Sequence, residues 1–139
     1  MIESPYSGQI DRNIRYLALC GFDAAIKYDE VAYASHGLMT QHPRAKQLFV
    51  SDDKWDVLTR EKAIEMSQRI RHRCDKTVFY VDLGWSSGMK AAKEYCIQNN
   101  LIFEKRKLDI SFLAKRVGFC SVDFCNSILS GAAYDNFLE

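Results

Sequence analysis

The sequence predicts an α/β protein: a three-layer, Rossmann-like or flavodoxin-like parallel sheet of four to five strands with a helical C-terminal extension. Three observations predict it. Short apolar runs alternate with longer stretches of helical spacing along residues 1–108. The run KTVFYVDL from Lys76 to Leu83 is almost continuously β-branched and aromatic, as a strand buried on both faces requires. Small and polar loops, SPYSG, SHG and GWSSG, follow successive strand candidates, on the side where a parallel sheet gathers its ligand loops.

Each element follows in order. Met1-Ile2 is a short strand end that runs into a polar loop from Glu3 to Gly8. Asp11 is placed to cap a helix over about residues 12–28, with Ile14, Leu17, Ala18, Gly21, Phe22, Ala25 and Ile26 as its apolar face. Val31-Ala32-Tyr33-Ala34 is a second short strand, followed at once by Ser35-His36-Gly37. Residues 41–54 are polar and mixed, and read as a loop. A helix resumes from Asp56 or Thr59 to about His72, with Val57, Leu58, Ala63, Ile64, Met66 and Ile70 on its buried side. After KTVFYVDL and its loop comes a helix from about Met89, for which Asn99-Asn100 is a stop signal. Leu101 to Glu104 is a fourth strand. Residues 109–139 read as an extension of two short helices, about 109–117 and 121–130, and a loose tail.

Composition narrows the function. At 139 residues the chain is sized for one domain, and 47% hydrophobic with 27% charged residues excludes disorder throughout. Nineteen Lys plus Arg against eighteen Asp plus Glu lacks the basic excess of a general nucleic-acid binder, so no nucleic-acid partner is expected. No apolar run approaches the roughly 20 residues that cross a bilayer, and the opening MIESPYSG has an acid and a proline where a secretory leader needs basic and then apolar residues. A cytoplasmic protein without a membrane partner is expected. Cys20, Cys74, Cys96, Cys120 and Cys125 form no CxxC pair, so they read as reduced, mostly buried thiols rather than metal ligands. No metal and no cofactor is expected.

The strongest local signal is Asp82-Leu83-Gly84-Trp85-Ser86-Ser87-Gly88-Met89. A buried strand ends in a Gly/Ser turn that opens a helix, and free amides, small residues and two hydroxyls there make an anion cradle. Plain capping by Ser86 or Ser87 is the equal alternative. The turn is neither a Walker A motif nor GxGxxG. Ser4-Pro5-Tyr6-Ser7-Gly8 offers hydroxyls, a phenol and a permissive glycine after the first strand, or simply a turn. Ser35 and His36 stand at the end of the second strand, where a lone histidine is ordinarily structural. No Ser, Cys or Asp lies near His36 in a triad pattern. Arg69, Arg71, His72 and Arg73, like Lys105, Arg106 and Lys107, read first as solvated charge.

Taken together, IESPYSG, Asn13, VAYASHGLMTQ, YVDLGWSSGMKAAKEY and Arg106-Lys107-Leu108 resemble the nucleoside 2-deoxyribosyltransferase-like superfamily over about residues 1–108. Within it, they are most similar to a small domain family common in phage and prophage genomes. The resemblance implies cleavage or exchange of the N-glycosidic bond of nucleosides or nucleoside 5′-monophosphates. It implies that Ser86-Ser87-Gly88 holds a 5′-phosphate. The superfamily's glutamate nucleophile stands four residues beyond that glycine, and here the position is Ala92. Glu94 is two residues on, about 200° around the helix. Asp82 and Glu3, at strand ends, are the substitute carboxylates, and His36 is a further catalytic candidate. Family members usually carry several residues before IESPY, so a clipped first strand is expected.

The expectation is therefore a nucleotide or ribose-phosphate binder. Ser86, Ser87, Gly88 and Met89 would hold phosphate, with Gly84 shaping the turn. Ser4, Tyr6, Ser7 and Gly8 would line the sugar side, and Ser35, His36 and Asp82 the rim. One version is a viral protein that sequesters a signalling nucleotide, an anti-defence role. The alternatives are a divergent N-glycosidase or deoxyribosyltransferase and a non-catalytic interaction domain. The resemblance also implies a homodimer or larger assembly, with Phe112, Leu113, Phe119, Phe124, Ile128 and Leu129 either at the interface or over the chain's own core.

Overall fold

The computed structural model describes residues 1–6, 8–35, 60–116 and 121–130. In chain order the elements are β1 (Ile2–Glu3), α1 (Ile10–Tyr28), α2 (Arg60–Arg71), β2 (Thr77–Tyr80), α3 (Ser87–Gln98), β3 (Phe103–Arg106), α4 (Ile110–Arg116) and α5 (Val122–Ser130). The protein is mixed α/β. Among the described residues the sheet has three parallel strands in the order β1-β2-β3, with Ile2 opposite Val78 and Thr77 opposite Phe103. Residues 31–34, expected as a strand, lack strand pairing. They meet the sheet through a hydrogen bond from Ile2 N–H to the Tyr33 carbonyl at 2.7 Å. Val31 is fully exposed, while Ala34 packs against the cluster that contains Ile2 and Val78. The fourth strand candidate forms two residues later than its sequence pattern suggested, at Phe103–Arg106. The expected loop at 41–54 lies outside the described residues.

Alternation along the strands divides the interior. Ile2, Val78 and Tyr80 pack with Tyr16, Leu17, Cys20 and Ala24 of α1 and with Leu108, Leu113, Cys125 and Ile128. Phe79 packs with Met89, Ala92 and Cys96 of α3, flanked by Trp85 and Phe103. The extension after β3 is thus part of the first cluster, and its Leu113, Cys125 and Ile128 are completely buried. Cys20, Cys74 and Cys96 carry free thiols. Cys125 is disulfide-bonded, its partner lying outside the described residues, so the expectation of uniformly reduced thiols is corrected there.

Two helices present a different face from the one their apolar spacing indicates, for one physical reason. On α1 the buried residues include Asn13, Tyr16, Cys20 and Asp23, while Phe22 and Ile26 are about 40% exposed. On α2 Ser67 and Arg71 are buried, while Ile64 and Met66 are exposed. Three of the inward polar groups pair with the strands or their ends. Tyr16 donates to Asp82 at 2.6 Å, and Tyr80 donates to Asp23 at 2.7 Å. Arg71 pairs with Glu3 at 2.5 Å and donates to Gln68 and Thr77. Buried polar groups that find partners can override a simple apolar stripe, even though Asp23 Oδ1 is buried without a hydrogen bond.

Helix ends follow local chemistry. α1 starts at Ile10 rather than after Asp11, with Gln9 at its cap position and no side-chain capping bond. It stops at Asp29, which adopts the left-handed conformation (φ 54°) that Asp and Asn tolerate best after Gly. α3 ends at the expected Asn99-Asn100, with Asn100 left-handed at φ 53°. Arg106 forks onto Glu30 at 2.7 and 2.8 Å and stacks 3.7 Å from the Tyr28 ring centre, joining the end of α1 to β3. Lys76 and Glu104 complete this ionic group.

Candidate functional site

The carboxyl ends of β1 and β2 are neighbours, since Glu3 lies opposite Phe79. The segments that leave them, Ser4–Gln9 and Val81–Ser86, therefore start side by side. The first feeds α1, which packs on the Ile2 face; the second feeds α3, which packs on the Phe79 face.

On the β1 side, Ser4 and Pro5 are buried and Tyr6 is half-buried. Asn13, itself buried, donates its side-chain amide to the Tyr6 carbonyl at 2.9 Å. Gly8 is exposed at φ +93°, a conformation that L residues rarely adopt, and its carbonyl accepts from Ile10 N–H at 3.0 Å. Ser7 lies outside the described residues, as does His36, while Ser35 is half-buried.

On the β2 side, Asp82 is a junction. Its carboxylate accepts from Tyr16 OH, and both oxygens lie 3.2 Å from the Leu108 N–H. The Asp82 N–H in turn donates to the Tyr16 oxygen at 3.1 Å. Burial, and then the nearby Cys20 and Asp82, push the Tyr16 phenol well above its ordinary range, so it stays a donor. One carboxylate thereby joins α1, the end of β2 and the segment after β3. Gly84 takes φ +85° and donates its N–H to Val81 at 3.0 Å, closing the turn. Trp85 lies against Phe79 with ring centres 5.3 Å apart, and the Lys93 ammonium sits 5.6 Å from its centre.

Ser86 is the N-cap of α3, accepting from Met89 N–H at 3.2 Å. Met89 itself is buried. Ser87 and Gly88 are exposed at the first two helical positions. A methyl group built on Gly88 meets only the Ser86 hydroxyl, at 3.9 Å. The first amides of α3 and the positive end of its dipole lie at Ser87 and Gly88, an arrangement that favours an anion.

Asp82 and Glu3 are committed to partners within the protein. Ala92 is buried against the Phe79 cluster, and Glu94 is exposed farther along α3. Glu3 is held by Arg71, and burial pushes its carboxyl up against that pull. Among the described residues, no group of three or more His, Cys, Asp or Glu gathers to hold a metal ion. Nor is any described helix long and apolar enough to cross a membrane.

Sequence reasoning missed Tyr16 and Arg71. Tyr16 has a local signal, three residues after Asn13 and four before Cys20 on one helical face. Its partner is 66 residues away and carries none. No curated protein and no solved structure matches the chain. Residues 1–106, about three-quarters of the sequence, match one family, and the chain belongs to it: the domain of unknown function DUF7768.

Proposed function

We propose that the protein binds a nucleotide or ribose-phosphate compound in the crevice between the β1 and β2 loops, without turning it over. The observation that carries this is the pair of hydrogen bonds on opposite edges of β1. The Met1 carbonyl accepts from Val78 on one edge, at 2.8 Å, and Ile2 N–H reaches Tyr33 on the other, at 2.7 Å. The chain thus leaves β1 toward one side and returns on the other. We read residues 31–34 as a fourth, edge strand, which makes the sheet doubly wound and Rossmann- or flavodoxin-like. At such a reversal the two loops diverge to opposite faces and open a crevice for a ligand.

In this reading the Ser87 and Gly88 amides and the Ser87 hydroxyl take the phosphate. Tyr6, Ser7 and Gly8 line the sugar, and Ser35 and His36 form the rim. Asp82, Ser86 and Met89 shape the site, since their polar groups are bonded within the protein. Binding is favoured over glycosidase chemistry because Ala92 is buried and Asp82 and Glu3 are bonded to Tyr16 and Arg71. A nucleophile must reach the anomeric carbon.

The test is calorimetric titration with AMP, ADP, ribose 5-phosphate and inorganic phosphate, on the wild type and Gly88→Leu. We expect binding of at least one sugar phosphate, and loss of tenfold or more in the variant without a lower melting temperature. Equal affinity in both, or no binding by the wild type, defeats the assignment. Release of free base from a nucleoside monophosphate would establish the N-glycosidase alternative.

A further inference from the structure

We propose that α5 acts as an intramolecular strap, through Arg12, that holds the first turn of α1 and with it the loop after β1. α1 starts without a side-chain cap to fix its direction. Arg12 supplies the missing restraint from another element. Its Nε donates to the Ile128 carbonyl at 2.7 Å, and one Nη donates to the Leu129 carbonyl at 2.5 Å. The other Nη donates to Gln9 Oε1 at 3.3 Å. Those carbonyls belong to the last turn of α5, where helical acceptors are unpaired and positive charge is favoured.

One guanidinium therefore joins the end of α5 to the residue that precedes α1. The neighbouring Asn13 carries the restraint onward, since its N–H bonds to the Gln9 carbonyl and its side chain to the Tyr6 carbonyl. α5 is a firm anchor, with Cys125 and Ile128 fully buried. A lysine cannot replace Arg12, because an ammonium lacks the flat fork that spans these acceptors together. The strap's effect on a ligand rests on the crevice reading above; its effect on the loop does not. The anchor lies beyond the family match, which ends at residue 106.

The test compares amide hydrogen exchange in the full chain and its Arg12→Lys and Arg12→Gln variants. Exchange at Gly8–Asn13 and in the last turn of α5 should rise tenfold or more, with β2 and α3 unchanged. An unchanged rate at Gly8–Asn13, or equal acceleration in β2, overturns the strap. Gln9→Ala, which removes one contact and leaves both α5 bonds, should accelerate Gly8–Asn13 less and leave α5 unaffected; acceleration of α5 by this variant also counts against it. Titration with ribose 5-phosphate adds a second readout. Weaker binding by Arg12→Lys supports a link between strap and site, and equal binding removes that link. A wild type that does not bind this probe counts against the crevice reading, and the exchange comparison still decides the strap.

Discussion

Replacing Glu3 by Gln tests the reasoning about inward polar groups most directly. The Arg71 side chain is 2% exposed and that of Glu3 13%. Arg71 spends its donors on Glu3 at 2.5 Å, Gln68 at 2.9 Å and Thr77 at 3.2 Å. Glu3→Gln keeps the shape and removes the opposing charge, which leaves a guanidinium buried without compensation. Breaking one side of such a pair costs about 3–5 kcal/mol. Against a total of roughly 5–15 kcal/mol for a domain, that is a large fraction. The melting temperature should fall by about 10 °C or more, at a few degrees per kcal/mol for a chain of this size. Urea unfolding followed by circular dichroism measures it, with unfolding free energies compared by linear extrapolation. Glu3→Leu combined with Arg71→Met should recover most of the loss, because no charge is then stranded. A single variant within about 1 kcal/mol of the wild type would refute the argument. So would a double variant no more stable than Glu3→Gln.

Three further outcomes follow from the same geometry. Tyr16→Phe removes the donor to Asp82 and strands the Asp82 N–H, so urea unfolding should show a loss of about 1.5–3 kcal/mol. Glu30 is pulled down to about 2 from 4.5, first by its hydrogen bonds from Arg106 and against its partial burial. Its folded value lies below the unfolded one, so its contribution is present above pH 4.5 and is lost as the pH falls toward 2. The full contribution is about 3 kcal/mol, or about 2 after allowance for solvent screening; Glu30→Gln should flatten stability against pH in that window. Gly88→Ala should stabilise α3 by about 0.5–1 kcal/mol in thermal unfolding, since the added methyl meets nothing closer than 3.9 Å; under the proposed function it should also weaken sugar-phosphate binding in calorimetry.

Local chemistry was legible where it decides structure locally. The Val-Phe-Tyr run announces β2, Asn99-Asn100 announces the end of α3, and Gly84 and Ser86 take the turn and cap positions their types suit. What sequence spacing could not show is which way α1 and α2 turn. A helix wheel ranks side chains by apolarity, and it places Phe22 and Ile64 inside and Arg71 outside. The reverse holds because Asp82, Tyr80 and Glu3 wait across the sheet, and pairs separated by 57 to 68 residues leave no trace in a local window. The candidate site was legible in its loops, for the same local reason, and illegible in the partners of Asp82. The short segment at 31–34 looked like a strand by composition; it meets the sheet through the bond from Ile2 to Tyr33 and the packing of Ala34, without strand pairing.

The packing of Leu108, Leu113, Cys125 and Ile128 onto α1 bears on how the molecule can be dissected. The family match stops at Arg106, just short of all four. A fragment trimmed to that boundary would bare an oily wall of Tyr16, Leu17, Cys20 and Val78 and deprive Asp82 of the Leu108 amide. Such a fragment would be sticky in solution. Whoever wishes to study the loops after β1 and β2 in isolation must carry the chain through Ser130.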